Sequence, residues 1–245
     1  MGPHRHIRFL ASVRNEDEAR LAVAEGADII DCKEPCAGAL GALPLDVIAA
    51  VRRAVPAAVP VSATVGDLPC DAARLCDAAL ATAATGVEYV KIGLFAGDDP
   101  RAAIAALGRL DLKRSRLVAV MFADAAPDFS LVADMAAAGF AGVVLDTARK
   151  SGGALGNHMG PAQLAQFIAL ARAHSLFSGL AGSLRLEHVA PLRALEPDII
   201  GFRGALCAGS QRKGSLDALA TRAIARELKA AASDVRLHGP EALAS

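Results

Sequence analysis

Nothing in the 245-residue sequence favours one sign of charge: 26 Lys and Arg balance 26 Asp and Glu, and the isoelectric point is near 7.0. A nucleic-acid-binding surface wants a basic excess, so this balance argues against such a partner. No apolar run reaches the roughly 20 residues of a membrane span. The N-terminal Met1-Gly2-Pro3-His4-Arg5-His6 leads into only a short apolar stretch and lacks the hydrophobic region of a signal peptide. The cysteines Cys32, Cys36, Cys70, Cys76 and Cys207 are odd in number and form no CxxC, which points to a reduced chain and a cytoplasmic location. The six histidines show no HExxH or other metal spacing, so no bound metal is expected. The GxGxxG fingerprint of a doubly wound open sheet, the alternative to a barrel for an α/β chain, is missing too; no cofactor is expected. Tryptophan is absent.

What the chain does have is apolar content, 53% of residues, enough for a large core, arranged as alternating strand and helix patterns. The strand patterns run Ile7 to Val13, Ala27 to Lys33, Val59 to Val65, Val87 to Leu94, Leu117 to Ala123, Ala141 to Thr147, Leu176 to Gly182 and Asp198 to Ala205. Each is followed by a helical pattern. The first is capped by Asn15 and runs through Glu25, with Glu16, Asp17 and Glu18 at its positive end. The others cover Pro44 to Ala54, Asp71 to Thr85, Pro100 to Leu110, Ser130 to Ala138, Pro161 to His174, Leu186 to Leu195 and Ser215 to Ala231. Eight β-then-α units predict an α/β chain folded as a single (β/α)8 TIM barrel spanning residues 1–245, with Ser233 to Ser245 as a frayed tail.

A weak internal repeat supports a closed barrel. Gly26-Ala27-Asp28-Ile29-Ile30-Asp31-Cys32-Lys33, Gly86-Val87-Glu88-Tyr89-Val90-Lys91-Ile92-Gly93, Gly139-Phe140-Ala141-Gly142-Val143-Val144-Leu145-Asp146 and Glu196-Pro197-Asp198-Ile199-Ile200-Gly201-Phe202-Arg203 share one pattern, recurring every two βα units. Their alignment makes Lys33, Gly93, Asp146 and Arg203 equivalent, and Asp31, Lys91, Val144 and Gly201 equivalent one layer below. Even strands fill whole layers of a barrel interior. Two lysines, two aspartates and one arginine therefore converge inside the C-terminal mouth. Gly93 leaves a gap above Lys91 that is expected to admit substrate.

Charged residues at the ends of buried strands call for a reason. Asp31 and Lys33 share a face, while Cys32 alternates to the other and reads as packing. The ordinary reading of Asp31 and Lys33 is an ion pair at the sheet rim; the sharper one is a lysine nucleophile in a low-dielectric pocket. Lys33 and Lys91 close together would repel, favouring a neutral amine on one of them. Asp146 is either an acid–base group or a cap on the next turn. Lys150 is either an electrostatic partner for substrate or a solvated loop lysine. Gly182, Ser183, Arg203 and Gly204 end the last two strands, the usual phosphate site of a barrel. The alternative is tight packing by the glycines and a structural salt bridge for Arg203. Asp67 and Asp124 end two further strands at the same mouth and are assigned to pocket lining, with turn chemistry as the alternative.

These residues carry a resemblance. Gly26 to Pro35, Val61-Ser62-Ala63-Thr64-Val65-Gly66-Asp67, Tyr89 to Leu94, Leu145-Asp146-Thr147-Ala148 with Lys150, Leu180-Ala181-Gly182-Ser183 and Gly201 to Cys207 together resemble the (5-formylfuran-3-yl)methyl phosphate synthase family. The resemblance spans nearly the whole chain. The stretch Asn157-His158-Met159-Gly160 and the region from Ala125 to Phe129 look less like the archaeal pattern.

The resemblance implies a carbon–oxygen lyase of methanofuran-type cofactor biosynthesis. Such an enzyme condenses two glyceraldehyde 3-phosphate molecules to 4-(hydroxymethyl)-2-furancarboxaldehyde phosphate with loss of phosphate and water. By resemblance, Lys33 is the Schiff-base lysine, Lys91 its proton-transferring partner, Asp31 and Asp146 the acidic residues, and Lys150 a further active-site lysine. The expected partner is a triose phosphate, and the sequence allows a homo-oligomer. A class I aldolase-like phosphosugar enzyme and a non-catalytic phosphometabolite-binding barrel remain alternatives at this point.

Overall fold

The computed structural model describes residues 6–95, 99–149 and 152–230. Eight parallel strands close into one barrel in chain order. They are β1 (Arg8–Val13), β2 (Ile29–Cys32), β3 (Val61–Thr64), β4 (Tyr89–Gly93), β5 (Arg116–Phe122), β6 (Gly142–Asp146), β7 (Phe177–Leu180) and β8 (Ile199–Phe202). The α-helices between and after them are α1 (Glu16–Ala24), α2 (Leu45–Ala54), α3 (Ala72–Ala83), α4 (Pro100–Leu107), α5 (Leu131–Ala137), α6 (Pro161–Ala173), α7 (Val189–Arg193) and α8 (Ala218–Lys229). The (β/α)8 expectation therefore holds, and the element bounds match the sequence patterns to within about three residues. The expected tail Ser233 to Ser245 lies outside the described residues.

Local chemistry explains where the helices begin. Asn15, Asp71, Asp99 and Asp217 each accept a hydrogen bond from a backbone N–H of the first turn that follows. These caps satisfy donors that have no partner inside the helix. α8 starts later than its apolar pattern, because residues 204–217 first make two short 3₁₀ turns and Asp217 takes the cap. That detour lengthens the loop after β8 and brings it over the barrel mouth.

The strand repeat is written in hydrogen bonds. Asp28, Glu88 and Asp198 stand just before three of the even strands. Asp28 accepts from the Phe9 N–H at 2.8 Å, Glu88 from Val61 at 2.8 Å and Asp198 from Ser178 at 2.8 Å. Each carboxylate closes a backbone donor on the preceding odd strand, at the bottom rim where the ladder has run out. The fourth repeat carries Ala141 at that place.

Alternation along the strands separates two cores. Phe9, Ile30, Cys32, Val90, Ile92, Val143, Leu145 and Ile200 face the helices and join one large cluster with them. Cys32 is packing, as its register predicted; burial, and then the charge of Asp31, push its thiol far above its usual range. The inward positions divide by side. Leu40, Val118, Val120, Phe122, Ala141 and Val144 form an apolar plug with Tyr89, Phe95 and Phe177 packed against it. Under the opposite side only Leu10, Ile29 and Ile199 are gathered, with Phe177 beneath. Above them the interior is polar.

The gap expected above Lys91 is filled. A Cβ on Gly93 would come within 2.5 Å of the Phe95 ring and 2.8 Å of Leu40 Cδ1. Gly93 is a glycine because two apolar side chains from the β2 and β4 loops occupy the space its own side chain would need. The opening lies on the other side, over Gly201, where a Cβ would meet Leu10 at 3.3 Å and Ala181 at 3.5 Å.

Candidate active site

A cavity of about 260 Å³ opens at the C-terminal mouth between β7, β8, β1 and β2. Asp31, Lys33, Lys91 and Asp146 share its wall with Gly182, Ser183, Arg203 and Gly204. Eight of the nine residues expected to form the site are thus brought together. Lys150, the ninth, lies outside the described residues.

The deepest pair is Lys91 and Asp31. Strand register puts Ser12, Asp31 and Ser62 side by side on β1, β2 and β3. Ser62 Oγ donates to Asp31 Oδ1 at 2.6 Å and Ser12 Oγ donates to Oδ2 at 2.9 Å. Lys91 Nζ, two strands away on β4, completes the set at 3.0 Å from Oδ1. Asp31 is wholly buried and Lys91 nearly so. Burying an isolated charge costs several kcal/mol, and this carboxylate offsets the cost with three donors. The sequence reading did not pair the two serines with Asp31. The signal was present, since inward serines on strands flanking a buried aspartate have few other partners.

The upper pair is Lys33 and Asp146. Lys33 Nζ lies 3.4 Å from Asp146 Oδ2, and the Thr147 N–H donates to Oδ1 at 2.7 Å. Asp146 thus caps the turn after β6 and also faces the pocket. Each lysine has its own carboxylate, so the quartet is electrically matched and the two ammonium groups do not confront one another unscreened. The lower contact is short and braced on both carboxylate oxygens. The upper one is longer and nearer the mouth.

Arg203 takes the alternative course its position allowed. Its Nη1 donates to Glu18 Oε2 at 2.5 Å and to the Ser12 carbonyl at 3.1 Å. Its Nη2 donates to Glu18 Oε1 at 3.2 Å and to the Gly214 carbonyl at 2.6 Å, and Nε donates to the Arg212 carbonyl at 3.0 Å. A guanidinium has five N–H donors, and all five are engaged. Arg203 lies on the cavity wall, and its fork is taken by Glu18, the structural salt bridge that the sequence offered as the alternative to a phosphate contact. Burial alone would raise the Glu18 carboxyl, but hydrogen bonds and charge from Arg203, with help from Arg14, hold it below the usual glutamate range. Glu18 sits one helical turn before Ala22 on the buried face of α1, a placement that marks it as more than a favourable charge at the helix N-terminus.

The glycines divide. Gly182 has φ +110°, and a Cβ there would press on Thr147 Cγ2 at 3.0 Å and on its backbone nitrogen at 3.1 Å. Tight contact between the β6 and β7 ends accounts for it. Ser183 follows with φ +49°, so two successive residues take left-handed backbone on the cavity wall, the kind of turn whose amides can face an anion. Gly204 has only ordinary contacts, the nearest being Ser210 at 3.5 Å.

Asp67 and Asp124 act as loop braces. Asp67 accepts from the Ala39 and Leu40 N–H groups at 2.8 and 2.6 Å, and Asp124 from Ala148 and Arg149 at 2.7 and 2.8 Å. Turn chemistry therefore explains both, and neither lines the cavity. Asp67 fixes the loop that delivers Leu40 to the plug. Among the described residues no group of three or more His, Cys, Asp or Glu side chains is arranged to hold a metal ion, and no helix is long and apolar enough to cross a membrane.

Solved structures define the class first. The chain superposes on 3-hexulose-6-phosphate synthase from Salmonella typhimurium with a TM-score of 0.67 at 17% identity, covering 91% of this chain and 98% of that one. At that identity the likeness establishes a (β/α)8 barrel. Sequence comparison goes further. Residues 9–225 match the model of the 4-HFC-P synthase family, and the chain belongs to that family. It is 46% identical over 213 residues to a putative (5-formylfuran-3-yl)methyl phosphate synthase of Methylorubrum extorquens, covering 86% of each chain. It is 38% identical over 221 residues to the (5-formylfuran-3-yl)methyl phosphate synthase of Methanococcus aeolicus, covering 85% of this chain and 94% of that one.

Proposed function

We propose that this protein is a carbon–oxygen lyase that condenses two molecules of glyceraldehyde 3-phosphate to 4-(hydroxymethyl)-2-furancarboxaldehyde phosphate, as a step toward a methanofuran-type cofactor. Atom balance requires that one orthophosphate and two waters leave. The observation that carries the reading is the pair of buried lysine–carboxylate couples in one cavity beside the β7 and β8 ends, in a chain of this family.

Lys33 is the nucleophile in this reading. Its amine adds to a triose aldehyde and loses water to give an imine, after its proton has passed to a base such as Asp146, 3.4 Å away. The protonated imine withdraws electrons and acidifies the adjacent C–H, which permits isomerisation, carbon–carbon bond formation and elimination. Lys91, paired with Asp31 at 3.0 Å, delivers and recovers protons below the reacting carbons. The braced lower pair suits a fixed proton donor. The looser upper pair suits an amine that must give up its proton and form a bond. Lys150 acts as a further substrate cation. The backbone turn at Gly182 and Ser183, with Gly204 opposite, receives a phosphate.

The test is incubation with glyceraldehyde 3-phosphate alone, followed by mass spectrometry, ultraviolet absorption and phosphate release. A conjugated furan aldehyde phosphate with one orthophosphate per product is expected. Borohydride should trap one triose on Lys33. Triose or hexose phosphates as sole products would favour an aldolase-like reaction, and trapping on Lys91 would reverse the roles of the two lysines.

A further inference from the structure

We propose that Arg212 is the cation that meets a substrate phosphate in this cavity, and that Arg203 with Glu18 is the clasp that holds Arg212 in place. This deepens the proposed triose-phosphate reading and rests on it for the identity of the anion.

The charges on the cavity wall can be matched one by one. Lys33 faces Asp146, Lys91 faces Asp31 and Arg203 faces Glu18. Among the described residues two further cations line the wall, Arg185 and Arg212, and neither has an ion-pair partner within 4.0 Å there. A substrate set carrying two phosphates complements that surplus.

Arg212 is the better placed of the two. Arg185 is exposed at the rim, whereas Arg212 is half-buried. Burial lowers the proton affinity of its guanidinium, and the charge of Asp146 works in the opposite direction. Among the described residues one of its donors is used: Nη2 donates to the Gly38 carbonyl at 3.1 Å. A partly desolvated guanidinium with most of its donors open is a poor structural element and a good anion receptor. The contact to Gly38 also ties the β8 loop to the β2 loop across the mouth, so the side chain is aimed over the cavity.

Arg203 explains how the loop is held. Its Nε and Nη2 donate to the Arg212 and Gly214 carbonyls, 3.0 and 2.6 Å away, while its fork is locked on Glu18. Gly209 and Ser210, with φ +61° and +56°, turn the chain back toward this clasp. Gly204 lies against the Arg212 stem, where a Cβ would meet Arg212 Cβ at 3.6 Å.

Arg212→Gln and Arg212→Lys separate contact from clasp, because the backbone carbonyl that Arg203 grips survives in both. Inorganic phosphate, titrated by calorimetry, is the first probe, and steady-state kinetics with glyceraldehyde 3-phosphate is the second. Arg212→Gln is expected to weaken phosphate binding and raise KM roughly tenfold or more with kcat changed only a few-fold and an unchanged melting temperature; Arg212→Lys should recover part of the loss. Arg203→Lys is expected to lower the melting temperature and expose residues 208–216 to proteolysis, and Glu18→Gln should act in the same direction. Unchanged phosphate affinity and KM in Arg212→Gln would overturn the proposal. So would a folded Arg203→Lys that alone loses phosphate at unchanged melting temperature, or a wild-type protein with no measurable affinity for either probe. Weakened phosphate binding in Arg212→Gln, with no furan product from the wild-type protein, would leave the Arg212 assignment standing and refute the family reaction. Normal furan production at unaltered KM in that variant would do the reverse.

Discussion

The two halves of the barrel mouth are built from the same repeat and have opposite characters. Around β5 the interior is apolar, Val118, Val120 and Phe122 being closed over by Leu40 and Phe95. On the side of β7, β8, β1 and β2 only the floor is apolar, and the cavity above it receives both lysine–carboxylate pairs, with Asp31 and Lys33 standing at the end of β2 while Lys91 and Asp146 reach in from β4 and β6. Gly93 and Gly201 make the contrast concrete. Both are inward glycines on even strands. One is covered by neighbouring side chains, and the other leaves space for a ligand. A missing side chain in a barrel layer is thus not yet a pocket: the loops above decide whether the space is filled. The plugged half also gives the reactive half a dry wall. Leu40, which is fully buried, contributes roughly 1.5–3 kcal/mol by its burial, and the low dielectric it helps to maintain strengthens charge interactions nearby.

The comparison can be broken most severely at Lys33. Lys33→Ala is expected to lower turnover at least about a thousandfold and to abolish borohydride trapping, with the fold retained by circular dichroism. Trapping at full yield in that variant would move the nucleophile elsewhere.

Asp31→Asn comes next, because it leaves Lys91 buried without its counter-charge. Removing one partner of a buried ion pair costs about 3–5 kcal/mol, so denaturant unfolding should show a loss near that range, together with a strong fall in kcat. An unaltered midpoint would mean that Ser12 and Ser62, rather than the charge, carry the stability of this cluster.

The two glycines offer the most direct contrast. Gly93→Ala forces Phe95 or Leu40 to move and should cost about 1–3 kcal/mol of stability, with little effect on KM. Gly201→Ala meets contacts of 3.3 and 3.5 Å, so it should cost less stability and instead raise KM by intruding on the cavity. The opposite pattern would erase the distinction drawn between the two halves.

The smallest effect is a pH dependence at the clasp. The Glu18 carboxyl is held below its usual range, with burial opposing and Arg203 overcoming it. Its contribution to stability is therefore complete above the unfolded-state value and lost as pH falls through the lower folded one. Stability of the wild type should decline more steeply than that of Glu18→Gln as pH is lowered below about 4.5, as read by melting temperature. Parallel curves would remove Glu18 from the account.

Much of the fold was legible because alternation and helical periodicity are local. The strand ends at Asp31, Lys33, Lys91 and Asp146 were legible for the same reason, since a charged residue closing a buried strand stands out against its neighbours. At Arg203 the sequence leaves two readings open, because an arginine at a strand end looks the same whether its fork meets a ligand or a glutamate on the helix after the neighbouring strand. Arg212 went unnoticed because it lies in a loop with no periodicity to mark it. Glu18 was read only as a favourable charge at a helix N-terminus, and its second partner lies 185 residues away.

By itself, then, the sequence determined the closed eight-unit alternation, the inward register of the even strands and the gathering of two lysines and two aspartates in the C-terminal mouth. These follow from steric periodicity and burial, which act between residues near in the chain. Tertiary structure alone decided which lysine meets which carboxylate, which half of the mouth is filled and where each arginine points. Those outcomes depend on side chains from separate loops competing for the same space and the same hydrogen-bond partners, and that competition exists only once the barrel has closed.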